Sequence, residues 1–178
     1  MTTIWTEAQV DLTKLAAHLE KSGRSGVSLQ DDGIHLTTAH GLYHRIAIDE
    51  DKKFLRLGSY LPTDKFRARE EKLALIQRFN RQLFLTSFAL DSEDDVLIDY
   101  PICYEAGLIV DQFVILLAQF ASMLDFIVEH ENVEGLIYFD QYGLRRESIA
   151  KTVSTIGLTT REQSFDLDES YPVGILLN

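Results

Sequence analysis

One segment of the 178-residue chain, Leu108 to Val128, is more apolar than a helix that packs on a single sheet needs to be. Such a helix requires an apolar stripe a little over about 100° wide, with polar residues on its other side. Here Val110, Val114 and Met123 widen the stripe beyond that. Its centre consists of six residues at helical spacing: Phe113, Leu116, Leu117, Phe120, Leu124 and Ile127.

An exposed apolar patch of this size is unusual on a monomer, so a second surface must cover it. Three surfaces could do so: the C-terminal part of the same chain, a second copy of the protein, or a client protein. We therefore take the six central residues as the candidate dimer or partner surface, and we expect a homodimer or burial under the chain's own tail before a client.

The same segment is close to the length that spans a membrane. Its charges argue against that role, because Asp111 and Asp125 interrupt it and only Glu129, Glu131 and Glu134 follow it. Spanning helices usually carry Lys or Arg on their cytoplasmic flank. We therefore predict that the protein has no membrane partner.

The net charge of −11 excludes nucleic acid as a partner, because nucleic-acid binding requires a basic surface. The single Cys103 cannot form an intramolecular disulfide, and the first residues lack the pattern of a secretion signal. These features predict a cytoplasmic protein. The length fits one domain with an appendage, which we place at residues 1–131 and 132–178, the extension being packed on the same domain.

Changes of hydrophobic period divide the chain into helices and hairpins. Thr6 and Gln9 have the spacing of a capping box and predict that a first helix starts there and ends at Ser22–Gly23. A second helix is predicted over Lys65–Leu83, with Phe66, Leu73, Ile76, Phe79 and Leu83 on its apolar face.

The spacing of apolar residues at every second position predicts three antiparallel hairpins. They are formed by residues 27–36, by Leu42–Ile48 with Phe54–Leu61, and by Phe84–Leu90 with Val96–Tyr104. In the tail, residues 132–178, we predict a strand at Leu136–Phe139, a helix at Leu144–Ile156 and a strand at Val173–Leu177.

The residues that could carry chemistry fit structural roles better. The acidic turn at Asp91–Asp95 lacks the glycine and the final glutamate of a calcium loop, so we interpret it as a solvated hairpin turn. His40 and His44 lie at a turn entering a strand, where their spacing does not suit a shared metal, and we interpret them as surface or hydrogen-bonded histidines. Cys103 follows apolar neighbours and is expected to be a buried small side chain. We predict no metal, no cofactor and no catalytic residue.

Basic residues are concentrated in the second predicted helix, which holds six of the 17 in the chain. Together with Arg145 and Arg146 they could hold an acidic partner or phosphate. Pairing with the many carboxylates of the same chain is the stronger interpretation.

A longer pattern resembles the YbjN family of bacterial proteins. It comprises the helix that ends at Leu75–Leu83, the strand Phe84–Leu90, the acidic turn, the strand Val96–Pro101 and a long helix after Gly107. The resemblance implies an α+β fold like that of type III secretion chaperones, with helices packed on one face of an antiparallel sheet. Proteins of this kind are typically small, acidic, dimeric and non-enzymatic.

The sequence therefore predicts a protein-binding module without catalysis, which binds a protein partner through apolar grooves or sheet edges. A small-molecule-sensing regulatory domain is the alternative, with a pocket between the sheet and the apolar helix. An enzyme is the least favoured class, because no group of residues suggests an activated nucleophile or a proton-transfer pair.

Overall fold

The computed structural model describes residues 3–84 and 86–138. The described residues all lie within one compact unit of the chain, and the fold below is that of this unit. The predicted elements Leu144–Ile156 and Val173–Leu177 lie outside the described residues.

The N-terminal helical region consists of two pieces. A single 3-10 turn, Glu7–Gln9, follows Thr6, whose backbone N–H donates to the Gln9 side chain over 2.9 Å. The helix proper, α1, spans Leu12–Lys21, and the Asp11 carboxylate caps it by accepting from the Lys14 N–H over 2.8 Å. The predicted capping box at Thr6 thus exists, but it begins the short turn, and α1 starts at the next capping residue, Asp11.

Six antiparallel strands form the main sheet, and the three predicted hairpins are confirmed. The first strand of the chain, Ile4–Trp5 (β1), lies outside this sheet. The bounds of the six strands are Ser28–Gln30 (β2), Gly33–Thr37 (β3), Tyr43–Asp49 (β4), Phe54–Leu61 (β5), Ser87–Leu90 (β6) and Val96–Cys103 (β7). Their order across the sheet is β2-β3-β4-β5-β7-β6.

The sheet buries one face against the helices. Along β5 the side chains alternate between buried Leu55, Leu57 and Leu61 and half-exposed Phe54 and Arg56. The buried leucines belong to one apolar cluster that also contains buried side chains from α1 and from both later helices. Helices packed on one face of an antiparallel sheet are therefore confirmed.

The second helix, α2, spans Arg69–Gln82 and starts four residues later than its predicted first residue, Lys65. Its buried face consists of Lys72, Leu75, Ile76 and Phe79. Two predicted core residues are wrong, because Phe66 precedes the helix and is almost fully exposed, while Leu73 is exposed on its outer side.

The predicted long helix begins with a short strand. Leu108–Ile109 (β8) pairs with Ile4–Trp5 (β1), and the helix itself, α3, spans Val110–Phe126 before a π-helical turn at Ile127–Glu131. Gly107 precedes β8 at a φ of +102°, and a Cβ there would lie 2.7 Å from the Trp5 carbonyl oxygen. Only glycine satisfies both conditions, so the chain turns into the strand pair before the helix begins.

Residues beyond the predicted domain boundary at 131 continue the same compact unit. Leu136 and Ile137 are buried in the core, and Ile137 forms a bridge with Thr63. The Asn132 side chain fixes this turn, donating to the Ile137 carbonyl over 2.8 Å and accepting from its N–H over 2.9 Å. A bridge therefore lies within the predicted strand Leu136–Phe139, whose last residue lies outside the described residues, as does the extension beyond it.

Candidate functional site

The predicted partner surface on α3 lies mostly in the core. Five of its six residues are buried, and Leu116 alone is half-buried. The buried five belong to the cluster formed with the sheet: Phe113, Leu117, Phe120, Leu124 and Ile127. In this chain the five side chains form the inner face of the helix and pack in the same cluster as the sheet. Their role as a dimer or partner surface stays a prediction.

The excess apolarity lies on the opposite face of α3. Ile115 is 58% exposed and Phe126 is 42% exposed. Val110–Glu131 is long and apolar enough to cross a membrane by length and composition alone. The core helix of a globular protein can have the same length and composition, and the inner face of α3 is a core face.

A groove of about 500 Å³ lies where α2 ends and β6 begins. It is formed by the last turn of the helix, the connection to β6 and one residue of β7: Asn80, Arg81, Gln82, Leu83, Phe84, Thr86, Ser87 and Pro101. Phe84 is 84% exposed beside it. The groove is open to solvent, whereas a site for a small molecule encloses most of its ligand, so its shape suits a segment of another protein better.

The connection has this shape because α2 ends abruptly. Leu83 is extended, and its N–H donates to the Phe79 carbonyl over 2.8 Å. Strand β6 pairs with β7 only as far as Ser87 opposite Asp99, whereas β7 continues to Cys103. The end of β7 therefore projects past β6 and contributes Pro101 to the groove.

Two residues protect this edge of the sheet. The Asn80 side chain donates to the Phe88 carbonyl and accepts from the Phe88 N–H, each over 3.0 Å. Pro101 has no N–H to offer at the part of β7 that projects past β6. A strand added at this edge could not bond to the Phe88 N–H and carbonyl, which Asn80 already binds, and Pro101 offers it no N–H donor. The groove therefore offers side-chain contacts and not an open strand edge.

Arg81 is the basic residue of the groove. It is exposed, and no carboxylate within residues 3–84 and 86–138 lies at ion-pair distance from it. The predicted intramolecular pairing is confirmed for other basic residues of this region: Lys65 with Asp95, Arg67 with Glu71, Arg69 with Asp94, and Arg78 with Glu134. Arg145 and Arg146 fall outside the described residues.

The acidic turn is not a solvated turn throughout, and this prediction is corrected. Asp95 is 2% exposed and accepts hydrogen bonds from the Thr63 N–H over 2.7 Å, from the Thr63 hydroxyl over 3.2 Å and from the Tyr60 hydroxyl. Lys65 forms an ion pair with it over 2.5 Å. Burial and the hydrogen bond to Asp95 raise the pKa of Tyr60. Asp95 thus connects the end of β5 to the β6–β7 turn.

The two histidines differ in environment. His40 is half exposed and lies 3.0 Å from Glu129 and 3.5 Å from Asp125. His44 is buried on the inner face of β4 near the Phe120 ring, and among the described residues its Nδ1 has no hydrogen-bond partner. Burial lowers the pKa of His44 to about 4. His44 is therefore a neutral core histidine and not a surface one.

Cys103 is exposed, contrary to its predicted burial. It ends β7 opposite Phe54, on the face of the sheet that points away from the helices. The apolar neighbours in the sequence alternate with it and point to the other face. Among the groove residues, Arg81 belongs to the basic residues that the sequence singles out for an acidic partner. Asn80 is not predicted as a site residue, although an asparagine within a predicted helix is a signal of side-chain bonding to the backbone.

Comparisons with solved structures place this arrangement in a known fold. The crystal structure of YbjN, a putative transcription regulator from E. coli, superposes with a TM-score of 0.62 at 16% identity, covering 73% of this chain and 97% of that chain. The ExsC–ExsE complex gives a TM-score of 0.51 at 21% identity, covering 66% of this chain and 94% of that chain. The HopA1–SchA chaperone–effector complex gives 0.45 at 16% identity, with coverage of 66% and 94%.

No curated protein matches the sequence. The family model of YbjN, described as "Putative bacterial sensory transduction regulator", matches residues 11–130. That match covers α1, the main sheet, α2 and α3, and the predicted α+β fold class is confirmed by it together with the structural similarities. The chain therefore belongs to the YbjN family.

Proposed function

We propose that this protein is a non-enzymatic module that binds another protein through the groove between α2 and β6. The observation that carries the proposal is the exposed Phe84 beside Arg81, which has no ion-pair partner among the described residues. An exposed aromatic ring next to an open groove is the kind of anchor that protein interfaces bury. The protein acts in the cytoplasm, and two copies associate.

The composition of the groove defines the chemistry of the partner. Phe84, Leu83 and Pro101 provide apolar surface, while Arg81 provides a positive charge on a chain of net charge −11. A segment with an apolar side chain followed by a carboxylate would satisfy both. The Asn80 side chain already forms hydrogen bonds with the N–H and carbonyl of Phe88. Partner binding therefore depends on side-chain contacts and not on the addition of a strand.

Two further facts support binding over catalysis. One of the solved structures of similar fold, ExsC–ExsE, is a complex of two proteins. The family is described as a "Putative bacterial sensory transduction regulator". A similar fold alone does not determine function. The proposal is therefore tested with substitutions at the groove residues.

Photo-crosslinking from residue 84 tests the proposal. A benzoyl-phenylalanine replaces Phe84, and a matched variant carries it at Phe66, which is the other strongly exposed phenylalanine in the part of the chain that the structure describes. In host cells, residue 84 should capture a discrete protein that residue 66 does not, and Arg81→Glu should reduce the amount captured. Identical products from both positions, or capture that Arg81→Glu leaves unchanged, would contradict the proposal.

A further inference from the structure

The outer face of α3 is an uncharged strip. Between Gln112 and Phe126 its exposed residues are apolar or neutral, and Leu116 and Met123 extend it as half-buried neighbours. The exposed residues of the strip are Gln112, Ile115, Gln119, Ser122 and Phe126. The nearest carboxylates stand at its ends and flank.

The carboxylates around the strip have other contacts. Asp111 at one end accepts from the Thr3 N–H over 3.3 Å. Asp125 on the flank accepts a hydrogen bond from Thr38, and Glu129 beyond the other end pairs with His40. The strip therefore contains no charged residue. It is about 20 Å long, since each residue advances a helix by about 1.5 Å.

We propose that this strip is the interface between two copies of the protein. Two copies carry the same net charge of −11 and repel each other, so they can associate closely only where their surfaces lack charge. A basic client would instead be met by carboxylates, as electrostatic complementarity requires. The strip therefore fits a second copy better than a client of opposite charge.

The spacing of the strip suits a two-fold contact. Gln119 lies at its midpoint, so an antiparallel pair of α3 helices centred there places Ile115 opposite Met123 of the second copy. The same pairing places Phe126 opposite Gln112. Ala118 and Ser122 near the centre are small, which allows the helices to approach closely. In such an interface each residue meets its counterpart reciprocally, as two-fold symmetry requires.

A stable dimer buries about 800 Å² on each partner, which is more than one helix strip usually supplies. Additional apolar surface lies at the beginning of α3, where Ile4 and Ile109 are cross-strand neighbours and both exposed. The contact is therefore expected to be reversible, with dissociation measurable by dilution. The inference rests on the proposed self-association and assigns the surface that produces it.

Light scattering coupled to size-exclusion chromatography tests the interface on the full chain at tens of micromolar. The wild type should elute with the mass of two chains. Ile115→Glu and Ser122→Glu should each raise the dissociation constant about 30-fold or more, since a central interface residue often carries that much binding energy. Both positions are exposed in the single chain, so circular dichroism should be unchanged.

Phe66→Glu is the matched control, because it adds the same charge at an exposed apolar residue away from α3. It should remain dimeric. A dimeric Ile115→Glu and Ser122→Glu would overturn the α3 interface while leaving self-association intact, and a monomeric wild type would overturn both. Neither result affects crosslinking from residue 84, which tests the groove separately.

Discussion

The side-chain amide of Asn80 forms a reciprocal pair of hydrogen bonds with the backbone of Phe88, each 3.0 Å long. This pair joins the last turn of α2 to the edge strand β6 and occupies both backbone groups of Phe88. The groove at the end of α2 consequently has a fixed wall, while Phe84 remains exposed beside it.

Asn80→Ala should destabilise the protein by about 1–3 kcal/mol, because it leaves a donor and an acceptor of β6 without a protein partner. Urea unfolding measures the change, and hydrogen exchange at the Phe88 amide should become faster. Gln82→Ala, also near the end of α2 and exposed, serves as the control and should change stability by less than about 0.5 kcal/mol. Equal exchange at Phe88 in both variants would show that the amide pair does not hold the strand.

Asp95→Ala should be among the more destabilising single changes in the acidic turn. It removes the acceptor of the Thr63 N–H and of the Tyr60 hydroxyl and takes away the carboxylate that pairs with Lys65. We expect a loss of about 2–4 kcal/mol in the free energy of unfolding. Asp51→Ala removes an equal charge from an exposed loop and should have little effect. Similar unfolding midpoints for the two variants would contradict a structural role for Asp95.

Leu117→Ala distinguishes a core face from a partner face on α3. Leu117 is fully buried, so its truncation should cost about 2–5 kcal/mol in unfolding free energy at any protein concentration. Leu73→Ala makes the same truncation at an exposed position of α2 and should cost less than about 1 kcal/mol. If Leu117→Ala changed only the oligomeric state and not the unfolding of the monomer, the inner face would be an interface after all.

His44 should make stability depend on pH. Its pKa is about 4 in the folded protein because burial disfavours the charged ring, whereas an unfolded histidine titrates near about 6.5. The unfolded state therefore binds more protons between these values, and stability should fall as the pH falls through that window, by at most about 3 kcal/mol. His44→Leu should reduce this pH dependence, measured as the difference in unfolding free energy between the two proteins at each pH. An unchanged slope would contradict a neutral buried His44.

The fold could be predicted largely from the sequence, because each hairpin has its own period-two pattern and turn residues. Local sequence patterns are less informative where a contact with another part of the chain determines the secondary structure or the burial of a residue. Leu108 and Ile109 are apolar enough for a helix, yet Gly107 and the pairing with Ile4 and Trp5 make them a strand. Similarly, Asp95 is indistinguishable in the sequence from its solvated neighbours until β5 brings Thr63 and Tyr60 beside it.

The candidate surfaces were harder to predict. The apolar excess of α3 was recognised from its composition, but the helical spacing alone does not say which side of a nearly all-apolar cylinder faces the sheet. The densest stripe, with Phe113, Leu117 and Phe120, is buried, and the excess lies around Ile115 and Phe126. The groove depends on the unequal lengths of β6 and β7, a register property that no single segment encodes.

Partner binding through the groove is tested most directly by the affinity of the protein captured at residue 84, measured by isothermal titration calorimetry. Phe84→Ala and Arg81→Glu should each weaken binding by about tenfold or more, as expected when an anchor residue is removed. Phe66→Ala should bind like the wild type. Equal affinities for the wild type, Phe84→Ala and Arg81→Glu would contradict partner binding at this groove.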